Sequence, residues 1–429
     1  MRTFVARSGR LLLLTLTLAC APVALIQAES ETPADTGSAA GGTTAEAGTN
    51  DNIGLGIFSR FPINISASVQ GGYDDNVTTT NSSQQGSGFI TSGIVIGYDL
   101  GNPRTNLTLS SNFGFTYYTE LESDPFEPNL NLSMTLSHKV TARLTLNFTG
   151  AASYQTEPDF QYGFGTNRRA GNYFFTTDRF AATYAWAPRF ATNTSYGIVA
   201  VQYDNLSAGL FEDRVEHTFG NEFRFLVWPT TNVIGEYRFQ IVDYENVNRD
   251  SDTHYLLGGF DHAFSPRLAA TFRGGAQVRE YKNFESQDSP YFEGGLNYKL
   301  GKDTAVGWNF HYGIEEGDVI TNTSRRSFRT GVQGKHDITA RISASMAIYF
   351  YHDDYSESTF ANPIVGLPPI VTPSFTEDSF AIDLALRYAV TRYLGVQAGY
   401  NHNEVTSGQV AGFRDYSRNR IWGGVNVSF

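Results

Sequence analysis

Charged residues recur at even spacing in the second half of the chain: Glu222 with Arg224, Glu236 with Arg238, Arg273 with Arg279, Glu293 with Lys299, Arg329 with Lys335, and Asp383 with Arg387. In an extended chain, residues an even number apart share one face, so each pair would look the same way. Facing a water-filled space, such charges can select solutes by their field. Paired across a filled interior, they would serve structure instead. Hydrolysis needs a more specific arrangement. None of the eight histidines stands in an H-x-S-N-G pattern, and the nearest approach to an Asp–His pair facing carboxylates is His352, Asp353 and Asp354 with Asp74 and Asp75. No metal-ligand spacing stands out, and glycine pairs such as Gly258–Gly259 and Gly274–Gly275 follow strand patterns with no helix after them, unlike a phosphate loop. We therefore expect no enzyme, no cofactor and no metal.

The elements that must position these charges are strands. From residue 62 onward the chain repeats one unit: about ten alternating residues, a tight turn, about ten more, then a longer polar loop. The first has Ile63, Ile65, Ala67, Val69, Gly71 and Tyr73 on one side and Asn64, Ser66, Ser68, Gln70 and Gly72 on the other. The end of the chain repeats the pattern, with Ile421, Gly423, Val425, Val427 and Phe429 on one side. Such runs match the ~9–11 residues of a tilted strand crossing a bilayer, whereas strands of soluble sandwiches usually have ~5–6. Eight short connections alternate with nine long ones, which gives about eighteen strands, sixteen to twenty being acceptable. The expected fold is all-β: a transmembrane antiparallel up-and-down β-barrel over residues 57–429, its last strand paired with its first. Apolar sides then face lipid and the charged sides face the lumen, because an arginine or lysine facing lipid at midplane costs ~2–4 kcal/mol. Glu222, Arg224, Glu236, Arg238, Arg273, Arg279, Glu293, Lys299, Arg329, Lys335, Asp383 and Arg387 are the lumen-lining candidates.

Aromatic residues cluster where strands should end. Tyr73, Tyr118, Tyr154, Tyr203, Tyr244 and Tyr281 close rising segments, while Tyr184, Trp186, Trp228, Tyr298, Tyr388 and Tyr393 lie near the short turns, as two interfacial belts would require. Tyr281, Tyr291, Tyr349 and Tyr351 fall at outer lumenal positions, where they form either a track for sugar rings or a belt displaced by one residue. Trp422 is anomalous: it sits on the face assigned to the lumen.

Composition agrees with one large β structure, with 42 Gly, 24 Tyr, 32 Phe and only 17% charged residues. Arg2, Arg7 and Arg10, the apolar stretch 11–26 and a cut after Ala28 make residues 1–28 a secretory signal peptide. Thr17 stands where a lipobox has leucine, which argues against lipidation of Cys20. Its removal leaves no cysteine and shifts the net charge from −12 to −15, three arginines leaving with no acid, which argues against nucleic acid. Residues 29–56 lack aromatics and apolar periodicity and read as a disordered periplasmic linker. The short turns are then periplasmic and the long loops external.

Tyr73-Asp74-Asp75-Asn76 after the first strand, turns of the form V-T-A-R-L at 140–144 and I-T-A-R-I at 338–342, and the terminal phenylalanine resemble the family known as putative β-barrel porin 2, over about residues 57–429. The resemblance implies a Gram-negative outer-membrane barrel without catalytic residues. Some relatives resemble barrels found with exopolysaccharide export, which implies polymer passage. The function expected is a porin-like passive channel for small polar solutes or a polysaccharide, the alternative being an accessory barrel of an export system without an open pore. Expected partners are outer-membrane lipid and lipopolysaccharide, the assembly machinery reading Val425, Val427 and Phe429, a polysaccharide, and further copies of the barrel. The insert 353–376, with its V-G-L-P-P-I-V run, has no counterpart in the family and is expected either to constrict the lumen, to cover its mouth, or to contact a partner.

Overall fold

The computed structural model describes residues 63–122, 125–160, 168–169, 171–204, 213–245, 249–317, 322, 324–360, 370–408 and 414–429. The signal peptide and linker expected at 1–56 lie outside the described residues.

The strands are β1 (Ile63–Asp74), β2 (Ser87–Gly101), β3 (Thr105–Tyr118), β4 (Phe126–Lys139), β5 (Leu144–Gln155), β6 (Tyr173–Ala187), β7 (Phe190–Tyr203), β8 (Arg214–Trp228), β9 (Thr231–Tyr244) and β10 (Ser251–Ser265). They continue with β11 (Leu268–Tyr281), β12 (Gln287–Leu300), β13 (Thr304–Glu315), β14 (Arg325–Thr339), β15 (Ile342–Tyr355), β16 (Ser358–Phe360), β17 (Ile370–Thr372), β18 (Phe375–Ala389), β19 (Leu394–Ser407) and β20 (Tyr416–Ser428). Eighteen of them form one antiparallel sheet that closes on itself where β1 pairs with β20, from Ser66↔Ser428 to Asp74↔Arg420. The remaining two, β16 and β17, make a separate hairpin within the insert 353–376. Most of the segment between them falls outside the described residues.

Alternation decides what faces where. Leu256, Ile421 and Val69 stand 71%, 63% and 52% exposed on the outer wall, while Gln70, Glu222 and Asn426 point inward and are buried. Four of the eight short turns share one device. Asn102, Thr141, Thr339 and Thr391 each accept, through the side-chain oxygen, hydrogen bonds from the backbone N–H groups two and three residues on, at 2.7–3.2 Å. That is why threonine stands where it does in the V-T-A-R-L and I-T-A-R-I turns: its hydroxyl replaces a ladder bond at the tightest point.

Two outer strand ends peel away from a neighbour. β4 pairs with β5 only from Leu130↔Tyr154, and β12 pairs with β13 only from Phe292↔Tyr312. Proline marks both edges. Tyr118 N–H donates to Pro125 O at 2.8 Å, so by the alternation of the ladder the missing N–H of Pro128 lies on the β5 side. The same count from Lys282 N–H on Asp250 O puts the missing donor of Pro290 on the β13 side. Neither ladder could continue there, and the chain after β5 and after β13 turns inward.

Trp422 does face the lumen. Its cross-strand neighbours on the two sides are both glycine, Gly72 of β1 and Gly399 of β19, and a Cβ at Gly399 would lie 2.3 Å from the indole. Gly399→Ala should therefore force the indole or the strand aside at a cost of about 1–3 kcal/mol, read as a lower unfolding midpoint of the folded barrel.

Candidate functional site: the barrel lumen

The lumen divides into a filled outer part and an open inner part. A cavity of about 2380 Å3 reaches from the short turns, where Arg189 and Pro266 line it, up to the underside of Glu157, Pro158 and Phe160. These three residues belong to the connection that follows β5. They cross the lumen: Phe160 is buried in a cluster with Tyr349 and Tyr351 of β15, Ala381 of β18, Val405 of β19 and Tyr416 of β20, and its carbonyl accepts the Tyr351 hydroxyl. This connection folds inward, and so does the chain at Glu316 after β13; the middle of the insert 353–376, for which sequence suggested an inward fold, lies outside the described residues.

Beside Phe160, the chain is fastened by charge. Glu157 binds Arg418 of β20 at 3.0 Å, lies 3.5 Å from Arg420, and accepts the Tyr118 hydroxyl at 3.1 Å. Burial would raise the Glu157 carboxyl, but the Arg418 and Arg420 guanidiniums outweigh it and hold it at about 2. Further along, Arg169 donates to the Val77 carbonyl at 2.8 Å and pairs with Glu127. The β1–β2 connection therefore locks against the β5–β6 connection over the lumen.

The Tyr73-Asp74-Asp75-Asn76 run proves to be the clasp that closes the barrel. Asp74 takes the Arg418 guanidinium at 2.5–3.1 Å, Asp75 accepts the backbone and side-chain N–H groups of Asn419 at 2.6 and 2.7 Å, and Asn76 donates to Ser417 O at 3.0 Å. Sequence marked the motif without revealing its partners, which lie more than three hundred residues away.

Below this roof, half of the charged candidates, Glu222, Arg224, Glu236, Arg238, Arg273 and Glu293, meet in one belt on the wall from β6 to β12. Arg224 donates to Glu222 at 2.7 Å, and Arg238 bridges Glu236 and Glu293 at 3.1 and 3.0 Å. Arg273 donates to Asp261 at 2.9 Å and stands 3.7 Å from Glu236. Arg179 of β6, 3.4 Å from Glu222, completes the belt. Sequence reasoning passed over Arg179 and Asp261, although each shares parity with a charge that was found: Asp261 lies diagonal to Arg273, opposite Thr271 on the same face. The pairs run along the wall: within one strand for Arg224–Glu222 and Arg238–Glu236, between adjacent strands for Arg273–Asp261, and over intervening strands for Arg179–Glu222 and Arg238–Glu293. Four guanidiniums alternate with four carboxylates, so the belt is locally neutral and sets no positive wall against a negative one. The facing wall carries amides such as Asn112, Asn129 and Asn401.

The other candidates are scattered. Arg279 pairs with Glu316 at 2.7 Å in the outer layer, and Arg329 lies 3.9 Å from Glu315 and 5.1 Å from the Tyr351 ring centre. Lys299, Lys335, Asp383 and Arg387 line the open cavity, Asp383 accepting the Asn401 amide. The nearest approach to a hydrolytic pair comes apart. His352 looks outward to Asp378 at 2.6 Å, Asp353 looks inward to Arg325 at 2.9 Å, and Asp74 is occupied by Arg418. Among the described residues no group of three or more His, Cys, Asp or Glu could hold a metal ion.

The outer aromatic belt differs from expectation. Tyr118, Tyr203, Tyr244 and Tyr281 are buried in the lumen, whereas Tyr73 and Tyr154 face outward, Tyr154 opposite the exposed Leu130, and Phe126, Phe174 and Phe292 face outward at that level too. The cause is parity: Phe113 and Phe115 point out on β3, so Tyr118 must point in. Tyr281, Tyr291, Tyr349 and Tyr351 are inward as well, yet each is less than one tenth exposed. They pack against other side chains and present no open track.

Several solved outer-membrane proteins have a similar architecture. The siderophore receptor PirA from Pseudomonas aeruginosa is 12% identical, over 86% of this chain and 80% of its own, with a TM-score of 0.39. OccAB3 from Acinetobacter baumannii is 10% identical, over 86% and 99%, with a TM-score of 0.41. OccK11 from Pseudomonas aeruginosa is 12% identical, over 86% and 96%, with a TM-score of 0.39. No curated protein matches the chain. A family model described as Putative beta-barrel porin 2 matches residues 55–429, the whole of the closed barrel with its motifs, and the chain belongs to that family.

Proposed function

We propose that the protein is an outer-membrane β-barrel of a Gram-negative bacterium and a porin-like passive channel for small polar solutes, narrowed by the connection after β5. The observation that supports this most is the cavity of about 2380 Å3, lined by polar side chains such as Gln70, Asn112, Lys299 and Arg387, which reaches from the short turns to Glu157, Pro158 and Phe160. In this reading the short turns face the periplasm. An eighteen-stranded cylinder is wide enough for water once its contents move, and the neutral belt of Glu222, Arg224, Glu236, Arg238, Arg273 and Glu293 predicts weak ion selectivity. Small solutes are favoured over a polysaccharide because Tyr349 and Tyr351 are covered by Phe160. Planar-bilayer recording tests the proposal. Single-channel steps with near-equal cation and anion permeability are expected, and silence from folded protein both with and without the roof would overturn it.

The filled outer layer favours a second reading, an accessory barrel of an exopolysaccharide export system that stays shut. It predicts no steps under any condition. Lipopolysaccharide around the outer rim and further copies of the barrel are partners compatible with either.

The assembly signal proposed for Val425, Val427 and Phe429 is testable separately. The Phe429 N–H donates to Ile65 O at 2.8 Å, so the residue is also the last link of the closing seam. Deleting Phe429 should leave most of the protein unfolded in the cell, seen as loss of the heat-modifiable band in gels; unchanged insertion would remove the role.

A further inference from the structure

Seven of the eight short turns carry an exposed or half-exposed base, as Arg143, Arg267 and Arg341 do, although the chain is acidic overall at −12; only the turn 229–230 has none. Just above this basic rim, on the outer wall, one arrangement occurs three times. His138 meets Thr105 at 2.8 Å, His262 meets Thr231 at 2.7 Å and His336 meets Thr304 at 2.7 Å, each through Nδ1 and each between directly opposed residues. With the threonine hydroxyl as donor to Nδ1 the neutral ring carries its proton on Nε2, and a protonated ring presents the Nε2–H donor whichever way the bond to threonine runs.

At His262 the arrangement lies in a cleft. Trp228, Phe260 and Phe264 wall a cavity of about 410 Å3 on the outside of the barrel, with Thr230, Thr231 and His262 as its polar part. Trp228 and Phe264 are 62% and 60% exposed, and Phe264 meets the His262 ring edge-on at 4.3 Å. Arg267 is exposed in the turn that follows β10, beside the cleft and also at the edge of the lumen cavity. Apolar walls, a ring N–H donor and a cation at one level suit a molecule with an acyl chain, a phosphate and a net negative charge.

We infer that the Trp228–Phe264 cleft binds an anionic glycerophospholipid of the leaflet at the short-turn end, its acyl chain between the aromatic rings and its phosphate against His262 and Arg267. The inference rests on the outer-membrane reading above. Charge complementarity selects the occupant: a basic rim on an acidic chain gains little from a zwitterionic headgroup, whose phosphate is already paired. One basic residue at a headgroup level contributes ~1 kcal/mol, which is about fivefold in occupancy.

The test is native mass spectrometry of the full folded protein in detergent, titrated in parallel with phosphatidylglycerol and phosphatidylethanolamine. Phosphatidylglycerol should stay bound preferentially, and Arg267→Gln and His262→Phe, both on the surface, should each lower its occupancy by about fivefold. Equal retention of the two lipids, or unchanged phosphatidylglycerol binding in both variants, overturns the inference. Heat-modifiable migration and insertion into liposomes, measured on the same samples, separate this failure from that of the outer-membrane reading: a barrel that inserts but shows no lipid preference refutes only the cleft.

Discussion

Replacing residues 157–170 by a short Gly-Ser turn should raise single-channel conductance on the order of tenfold, because it removes the segment that roofs the cavity at Glu157, Pro158 and Phe160. The contacts that hold the roof are few. Phe160 sits among Tyr349, Tyr351, Ala381, Val405 and Tyr416, and Glu157 is held by Arg418, Arg420 and Tyr118. Phe160→Ala removes the first set and should give a smaller gain with more frequent openings. An unchanged current in both variants would place the constriction elsewhere. Acid supplies an independent probe. The docked Glu157 carboxyl is held at about 2, against an ordinary value of 4.5, so its contribution to docking is complete above about pH 4.5 and is lost as pH falls toward 2. Conductance should rise in that window, and Glu157→Gln should conduct more at neutral pH and show no acid step.

Why the roof was not legible in the sequence follows from its chemistry. Glu157, Pro158 and Phe160 lie in a polar connection where no period exists, and Phe160 gains its meaning from Tyr351 and Tyr416, far off along the chain. The strands were legible because each repeats a local rule many times: an exposed Leu256 or Val69 needs only its own parity to be placed. Parity also shows where the reading of Tyr118 and Tyr203 went astray. Clustering at strand ends suggested a lipid-facing belt, but counting three residues on from the outward Phe115 puts Tyr118 inside. Pairing direction was beyond reach for a different reason. Glu236 and Arg238 could be assigned to the lumen, but whether they reach across it or along the wall depends on the diameter and stagger of the closed sheet, which no single strand encodes.

The largest effect on stability is expected at Arg418, where closure of the barrel and docking of the roof share one side chain. Its guanidinium is 1% exposed and binds Asp74 of the first strand and Glu157 of the roof together. Arg418→Ala leaves both carboxylates buried without that partner, and removal of one member of a buried ion pair costs ~3–5 kcal/mol. Of the neighbours, Arg420 can compensate only in part, since it stands 4.0 Å from Asp74 and 3.5 Å from Glu157. Arg418→Lys should recover little, because an ammonium cannot make the forked contact to two carboxylates at once. A second substitution separates the two roles. In Asp74→Asn the seam loses its charge pair while Glu157 keeps Arg418, so the unfolding midpoint should fall while conductance stays low. In Arg418→Ala both should change, the midpoint falling and the current rising. If the stability of Arg418→Ala stayed within about 1 kcal/mol of wild type, the ladder between β1 and β20 would be sufficient for closure, and the contacts of Asp74, Asp75 and Asn76 with Ser417, Arg418 and Asn419 would serve only to shape the mouth.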